Sequence, residues 1–187
     1  VLARLYERTE TPRYKRARDR LAGYIDQQMT DKNGAFYSAL DAETDAVEGA
    51  YYVWSKDKLK EVLDQSDYKF FTALYGTQAL QHFPGHKYPD GEVLVRREDL
   101  PEGEDIERLD ANLDKLRKVR AVRERPLRDE KILAAWNGMM IAGLAEAGRI
   151  LDNPAYVQKA EKAAQFILQD MRDDEGRLHR IYMNGQM

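Results

Sequence analysis

Apolar residues recur at helical spacing along much of this 187-residue chain, which predicts a mainly helical fold. Residues 1–8 resemble the end of an apolar helix, and residues 12–29 an amphipathic helix that begins at Pro12. Residues 125–151 form the most apolar stretch. Beyond its charged start, the only polar side chains in that stretch are those of Asn137, Glu146 and Arg149. A helix without a polar face is predicted to be buried on all sides.

The chain repeats one pattern after 142 positions. Each copy has an apolar helix, a short break, an amphipathic helix that begins at a proline, and a glycine turn into a strand-like segment. The copies cover about residues 1–40 and 130–185, and residues 41–125 form an insertion between them. The identical pairs include Leu2 and Leu144, Pro12 and Pro154, Tyr14 and Tyr156, Ile25 and Ile167, Met29 and Met171, Asp31 and Asp173, and Gly34 and Gly176. Such a repeat indicates a ring of inner and outer helices; two unrelated hairpins in an ordinary bundle are the alternative.

Within the insertion, residues 35–40 and 50–54 are predicted strands, which would form a hairpin closed by the acidic loop 41–49. Ser55 is predicted to cap a short helix that runs to residue 63. Further helices are expected at 67–75, ending at Gly76, and at 104–123, with an irregular segment at 78–95.

Composition excludes several classes of function. Hydrophobic residues make up 43% of the chain, charged residues 34%, and the net charge is −3, which gives no reason to expect nucleic acid or an anionic membrane as a partner. The absence of cysteine excludes disulfides and thiolate sites in this chain and favours a reducing, cytoplasmic location. Both ends look cut, so we expect a fragment of a longer protein that self-associates when isolated.

Three segments carry a resemblance to a known family. They are GAFYSALDAETDAVEGAYYVW (34–54), RPLRDEKILAAWNGMMIAGLA (125–145) and GRLHRIYMNG (176–185). The chain resembles YyaL-type proteins, which are relatives of spermatogenesis-associated protein 20 and contain a thioredoxin-like domain. It departs from their pattern at Leu127, where many relatives have histidine, and over residues 78–92.

The resemblance implies a fold and a context. Family members carry an N-terminal thioredoxin-like domain followed by an (α/α)-toroid that is similar to sugar 2-epimerases and six-hairpin glycosidases. This chain is then expected to be an all-α middle piece of an (α/α)6-toroid, with short β-hairpins in its connecting loops. The thioredoxin-like domain of the full-length chain would be its partner.

Four carboxylates in the loop 41–49 are candidates for chemistry. Asp41 and Glu48 are candidate acid and base residues for a sugar substrate, and Tyr52 and Trp54 beside them suit a sugar ring. A calcium loop is disfavoured because Ala46 and Tyr52 occupy the positions where an EF-hand has its glycine and glutamate. A solvated turn without function is the alternative.

The start of the apolar stretch supplies the other candidates. Asp129 could simply cap a helix whose first turn holds Lys131, or it could join Arg125 and Lys131 at the mouth of a toroid to bind or protonate a ligand. Asn137 needs a hydrogen-bond partner, which is more often a backbone group than a substrate. Trp136 is expected to lie in the core rather than to stack on a ligand.

The histidines do not suggest a metal site. His82 and His86 are separated by Pro84 and Gly85, so no helix presents both to one zinc ion. His179 lies in the strand-like segment that ends the second copy, where it could face a cavity. No cofactor is expected.

These observations lead to two hypotheses. The first is a carbohydrate-active segment that binds, epimerises or isomerises a small sugar-like ligand. Its catalytic candidates are Asp41, Glu48 and Asp129, and its substrate-binding candidates are Tyr52, Trp54, Arg125, Lys131, Trp136 and Asn137. The second is a non-catalytic helical scaffold that partners the thioredoxin-like domain.

Overall fold

The computed structural model describes residues 1–79, 89 and 91–186. They form two compact units: unit 1 comprises Val1–Ala39 and Arg128–Met187, and unit 2 comprises Leu40–Leu127. The described residues are mostly helical with short antiparallel strand pairs, which is compatible with the all-α class. None of their helices has the length and apolar composition needed to cross a bilayer.

The described helices and strands follow in chain order. The helices are α1 (Leu2–Thr9), α2 (Pro12–Tyr24, continued by a π-helical turn at Ile25–Met29), α3 (Lys56–Val62), α4 (Gln65–Leu74), α5 (Glu104–Ala121), α6 (Ala134–Leu151) and α7 (Pro154–Asp170). The strands are β1 (Ala39–Leu40), β2 (Glu43–Thr44), β3 (Val47–Glu48), β4 (Tyr75–Gln78), β5 (Val93–Arg96), β6 (Arg128–Asp129), β7 (Ile132–Leu133) and β8 (Ile181–Tyr182).

Unit 1 contains both copies of the repeat, and the first equivalence is at the helix ends. Helices α1 and α6 each end at a residue in the left-handed conformation: Glu10 has φ 49° and Asp152 has φ 48°. Each of these residues donates its backbone N–H to a carbonyl four positions earlier, that of Tyr6 or Gly148. A proline then starts α2 and α7 in turn. All of these positions correspond at an offset of 142.

The turns after the amphipathic helices are equivalent as well. The carboxylates of Asp31 and Asp173 each accept the N–H groups of residues two and four positions later, at 2.7 and 3.3 Å in the first copy and 3.0 and 2.8 Å in the second. Gly34 and Gly176 have φ of 94° and 83°, which an L side chain rarely adopts. The two turns therefore have the same local hydrogen bonds and the same glycine conformation at positions 142 residues apart.

The two copies differ in how far their amphipathic helices are buried. The predicted stripe of α7 is buried almost throughout, at Tyr156, Ala160, Ala163, Ile167 and Met171. In α2 no residue is fully buried, and Leu21 and Tyr24 of the predicted stripe are exposed. The core of unit 1 consequently lies beside α7, where Phe166, Ile167 and Met171 pack with Ala35 and Ile132.

Helix α6 is not buried on all sides in unit 1, so that prediction is wrong for the chain as described. Helices α7 and α1 pack against it, but Trp136 and Met139 are exposed together with Ala135, Ala142 and Gly143. The apolar pattern of α6 shows which positions carry uncharged, apolar side chains. It does not specify that a neighbouring element covers each of them.

Unit 2 packs α3, α4 and α5 around one apolar core. Its buried residues are Trp54, Leu59, Leu63, Phe71, Leu109 and Leu116. Ser55 caps α3 as predicted, since its hydroxyl accepts the N–H of Lys58 at 3.2 Å. Helix α4 begins earlier than predicted, at Gln65, because Asp64 caps it through the N–H of Asp67 at 2.8 Å.

The strand predictions in unit 2 need correction. Residues 50–54 do not form a strand that pairs with 35–40; the hairpin lies within the acidic loop, where β2 pairs antiparallel with β3. Gly76 does not end a helix but belongs to β4, which pairs with β5 inside the segment predicted to be irregular. The remainder of that segment, with His82 and His86, lies outside the described residues.

Candidate functional site

Asp129 is paired with its neighbour Lys131 rather than with a helix end. Its carboxylate accepts the Lys131 backbone N–H at 3.2 Å and the Lys131 Nζ at 3.0 Å. The capping interpretation is wrong, because Ile132 and Leu133 form β7 against β8 and α6 begins only at Ala134. The hydrogen bonds from Lys131 lower the pKa of Asp129. Asp129 is therefore ionised at neutral pH, which suits a general base or a hydrogen-bond acceptor and not a general acid.

A cluster of side chains that the sequence does not predict surrounds Arg128. Its guanidinium donates to the Gln28 carbonyl at 3.1 Å and to Glu130 Oε1 at 2.6 Å, and it lies 4.2 Å from the centre of the Tyr37 ring. Burial and the nearby Glu130 carboxylate raise the pKa of Tyr37. The sequence signal for this cluster is the run of four charged residues at 128–131, but nothing in it identifies the partners in the first copy.

Ser38 connects the first copy to the Asp129 backbone. Its N–H and its hydroxyl both donate to the Asp129 carbonyl, at 3.3 and 3.1 Å. Within unit 1, the strand-like end of the first copy therefore contacts the residues that precede α6. This contact holds Asp129 and Lys131 at a partly exposed edge of the unit.

Asn137 is bound by backbone groups, as the sequence favours. It is 1% exposed. Its Oδ1 accepts the Phe36 N–H at 2.8 Å, and its Nδ2 donates to the carbonyls of Phe36 at 2.9 Å and Leu133 at 3.1 Å. Both N–H donors of the carboxamide are thereby used within unit 1. The substrate-binding role predicted for Asn137 consequently has no support from its contacts.

Trp136, the residue before Asn137, points elsewhere. It is 52% exposed, so the expectation that it lies in the core is wrong for unit 1. Adjacent residues on a helix point in different directions, and Asn137 points towards the glycine turn of the first copy. An exposed indole at the first turn of a helix is available for stacking.

The predicted carboxylates of unit 2 lie in and before a tight hairpin. Asp45 and Ala46, at its tip, have φ of 52° and 56°, as a two-residue type I′ turn requires. Glu48 lies directly opposite Glu43 across the β2–β3 pair. Asp41 precedes the hairpin and accepts the Glu43 N–H at 3.1 Å. The hairpin explains the spacing of the four acids without a ligand.

The aromatic candidates of unit 2 are engaged by arginines of the same unit. Trp54 is 3% exposed and belongs to the core, with the Arg123 guanidinium 4.3 Å from its ring centre, so it is not an open stacking surface. Tyr52 is partly exposed, and the Arg120 guanidinium lies 5.6 Å from its ring centre. Arg125 is exposed in the segment after α5.

Metal ligands are not gathered in the described part of the chain, where no group of three or more His, Asp or Glu side chains could hold an ion. His179 lies with its Nε2 4.0 Å from an Asp173 oxygen. Asp173 is itself bound by Arg177, whose hydrogen bonds lower the pKa of the carboxyl.

Comparison with known proteins identifies relatives over most of the chain. Spermatogenesis-associated protein 20 from Homo sapiens and the protein of the same name from Mus musculus are each 30% identical to it over 192 residues, which covers 87% of this chain. An uncharacterised protein of Caenorhabditis elegans is 28% identical over 86% of the chain. The chain belongs to the spermatogenesis-associated protein 20-like family. No family model matches the sequence.

Membership in this family identifies the chain but not its reaction. The chain spans 24% of the length of the human and mouse relatives and 26% of the worm protein. The names of these relatives state no substrate.

Proposed function

We propose that this chain is part of an α/α-toroid that binds a small sugar-like ligand at the N-terminal end of α6, where Asp129, Lys131 and Trp136 would contact it. The repeated hairpin supports the toroid, because a ring of inner and outer helices needs one apolar and one amphipathic helix per unit. The single observation that supports the ligand most strongly is the exposed indole of Trp136, three positions into α6.

The chemistry of this edge fits a polyhydroxylated ring. A sugar presents an apolar face that stacks on an aromatic ring and hydroxyl groups that donate to carboxylates. The ionised Asp129 would accept such a hydroxyl or remove a proton from carbon in an epimerisation or isomerisation. Lys131 would donate to a ring or carbonyl oxygen. Asp41, Glu48, Tyr52 and Arg125 stay predictions for unit 2.

The test is a titration of the labelled chain with a panel of neutral, amino and N-acylated sugars, followed by NMR. We expect at least one sugar to shift the Trp136 indole and Lys131 amide signals in a saturable way. Trp136→Ala and Asp129→Asn should each weaken that binding about tenfold or more, which corresponds to about 1.4 kcal/mol. Asp174→Asn, an exposed carboxylate of the second-copy turn, is the matched control and should leave binding unchanged.

A second function is favoured by a different observation. The buried carboxamide of Asn137 is bound by backbone groups of unit 1 itself, as expected for a side chain that stabilises the fold. Under this alternative the chain is a non-catalytic scaffold for the thioredoxin-like domain that the family resemblance implies. It predicts no saturable sugar binding, and it predicts amide shifts on exposed helix faces when that domain is added. Sugar binding that Asp129→Asn abolishes would contradict it.

A further inference from the structure

The two glycine turns of unit 1 present their backbone in the same way. Each turn closes with an antiparallel pair, Thr30 with Phe36 in the first copy and Arg172 with Leu178 in the second. The hydrogen bonds flank these pairs in both copies. In a pair of this kind, the N–H and C=O of the opposing residues point away from each other. Phe36 and Leu178 therefore each direct one donor and one acceptor outwards.

In the first copy, these outward groups are occupied by a side chain. The carboxamide of Asn137 accepts the Phe36 N–H at 2.8 Å and donates to the Phe36 C=O at 2.9 Å, much as an adjacent strand residue would. Phe36 is 6% exposed as a result. The next residue of this helix is Gly138. A Cβ atom at that position would have no side chain or neighbouring element within 4 Å.

In the second copy, the equivalent groups are open. Leu178 is 53% exposed. Among the described residues, none forms a hydrogen bond with its N–H or C=O. The side chains of Ile181 and Met183, three and five positions later in the chain, are also exposed. We call these three residues the Leu178 surface.

We infer that the Leu178 surface binds an apolar helix that presents an asparagine to the Leu178 backbone, as α6 does at Phe36. A carboxamide suits this role because it supplies one acceptor and two donors from adjacent atoms. The apolar neighbours of Leu178 would cover the face of the helix beside that asparagine. This inference is independent of the proposed sugar site, which uses residues of a different edge.

The α6 helix of a second copy is an unfavourable source of this asparagine. Asn137 of a second copy is already bound to its own Phe36, and its transfer would break both of those hydrogen bonds. The curated relatives offer another source, because this chain covers only 24% of the length of the human protein. The occupant is then a helix of the same type as α6 from elsewhere in a longer protein.

A peptide that mimics such a helix tests the inference. The probe has the sequence of residues 131–151 with a lysine tail for solubility, and it is titrated into the ¹⁵N-labelled chain. We expect saturable shifts at Leu178, Ile181 and Met183, and slower exchange of the Leu178 amide. A peptide with Asn137→Ala should bind at least tenfold more weakly. The change lies in the peptide, so folding of the chain is not affected. A chain with Ile181→Asp should bind the original peptide at least tenfold more weakly.

Four results would overturn the inference. One is the absence of shifts up to the solubility limit of the peptide. Another is equal binding of the asparagine and alanine peptides. The third is a set of shifts centred on Phe36, which would mean that the peptide replaces α6 and that the second-copy surface has no affinity of its own. Concentration-dependent doubling of mass without peptide, with shifts at Leu178, would assign the surface to a second copy and would also overturn it.

Discussion

The side chain of Asn137 holds the backbone of Phe36, 101 positions earlier, through hydrogen bonds of 2.8 and 2.9 Å to its N–H and C=O. It thereby joins the glycine turn of the first copy to the first apolar helix of the second. We expect Asn137→Ala to lower the free energy of unfolding by about 2–4 kcal/mol, because two buried backbone groups lose their partner. Denaturation with urea measures this change.

Two other variants sharpen that prediction. Asn137→Asp keeps the acceptor for the Phe36 N–H but places carboxylate oxygens against two carbonyls, so it should destabilise at least as much at neutral pH. Asn33→Ala removes an exposed carboxamide from the same turn and should change stability by less than about 0.5 kcal/mol. Equal effects of Asn137→Ala and Asn33→Ala would contradict the structural role of Asn137.

The equivalence of the two turns predicts that the same substitution destabilises both copies. Gly34→Ala and Gly176→Ala each force an L side chain into positive φ, which should cost about 1–2 kcal/mol in either copy, and at position 34 the Lys162 side chain must also move. Gly143→Ala on the open face of α6 is the opposite control. A Cβ atom at position 143 would have no side chain or neighbouring element within 4 Å, so this substitution should stabilise the helix by up to about 1 kcal/mol. Thermal unfolding of the three variants distinguishes these outcomes, and a neutral Gly176→Ala would be evidence against equivalent turns.

Glu146 joins α6 to α1 through arginines on both helices. Hydrogen bonds from Arg149 and Arg4 lower the pKa of Glu146 from its usual value to about 2. Because the folded pKa is below the unfolded one, this pairing stabilises the fold above the unfolded pKa, and its contribution is lost as pH falls towards 2. Carboxyl NMR should therefore find Glu146 still ionised at pH 3. Arg149→Gln should raise its pKa more than Arg4→Gln does, and an unshifted pKa in both variants would refute the pairing.

Arg123 should be the most important arginine for the stability of unit 2. Its Nη1 donates to the carbonyls of Tyr51 at 2.9 Å and Val53 at 2.8 Å, and its guanidinium covers Trp54. We expect Arg123→Ala to lower the free energy of unfolding by about 2–3 kcal/mol. Arg96→Ala, an exposed arginine of β5, is the control and should have little effect. If both variants unfold at the same denaturant concentration as the parent, Arg123 has no such role.

Features set by local sequence are the ones that could be predicted. The caps and breaks depend on residues such as Ser55, Pro154 and Gly176, whose conformational preferences act within one turn of the chain. The repeat followed from the same residues at constant spacing. In the candidate site, the backbone partner of Asn137 was expected because a buried carboxamide needs one.

Features set by contacts distant in sequence could not be predicted. Ile132 pairs with Tyr182, and this pairing delays the start of α6 and removes Asp129 from its expected cap. The exposure of Trp136 depends on which elements surround α6, and apolar periodicity does not specify them. The position of the hairpin in the acidic loop depends on a tight turn at Asp45 and Ala46, which lacks the glycine that usually marks one.

The central claim is that unit 1 repeats one hairpin and that Asn137 completes it in the first copy only. Amide hydrogen exchange at Phe36 and Leu178 tests it most directly. We predict slow exchange at Phe36, fast exchange at Leu178, and acceleration of Phe36 to the rate of Leu178 in Asn137→Ala. Equal protection of the two amides in the parent chain, or a Phe36 amide that stays protected in Asn137→Ala, would contradict the claim.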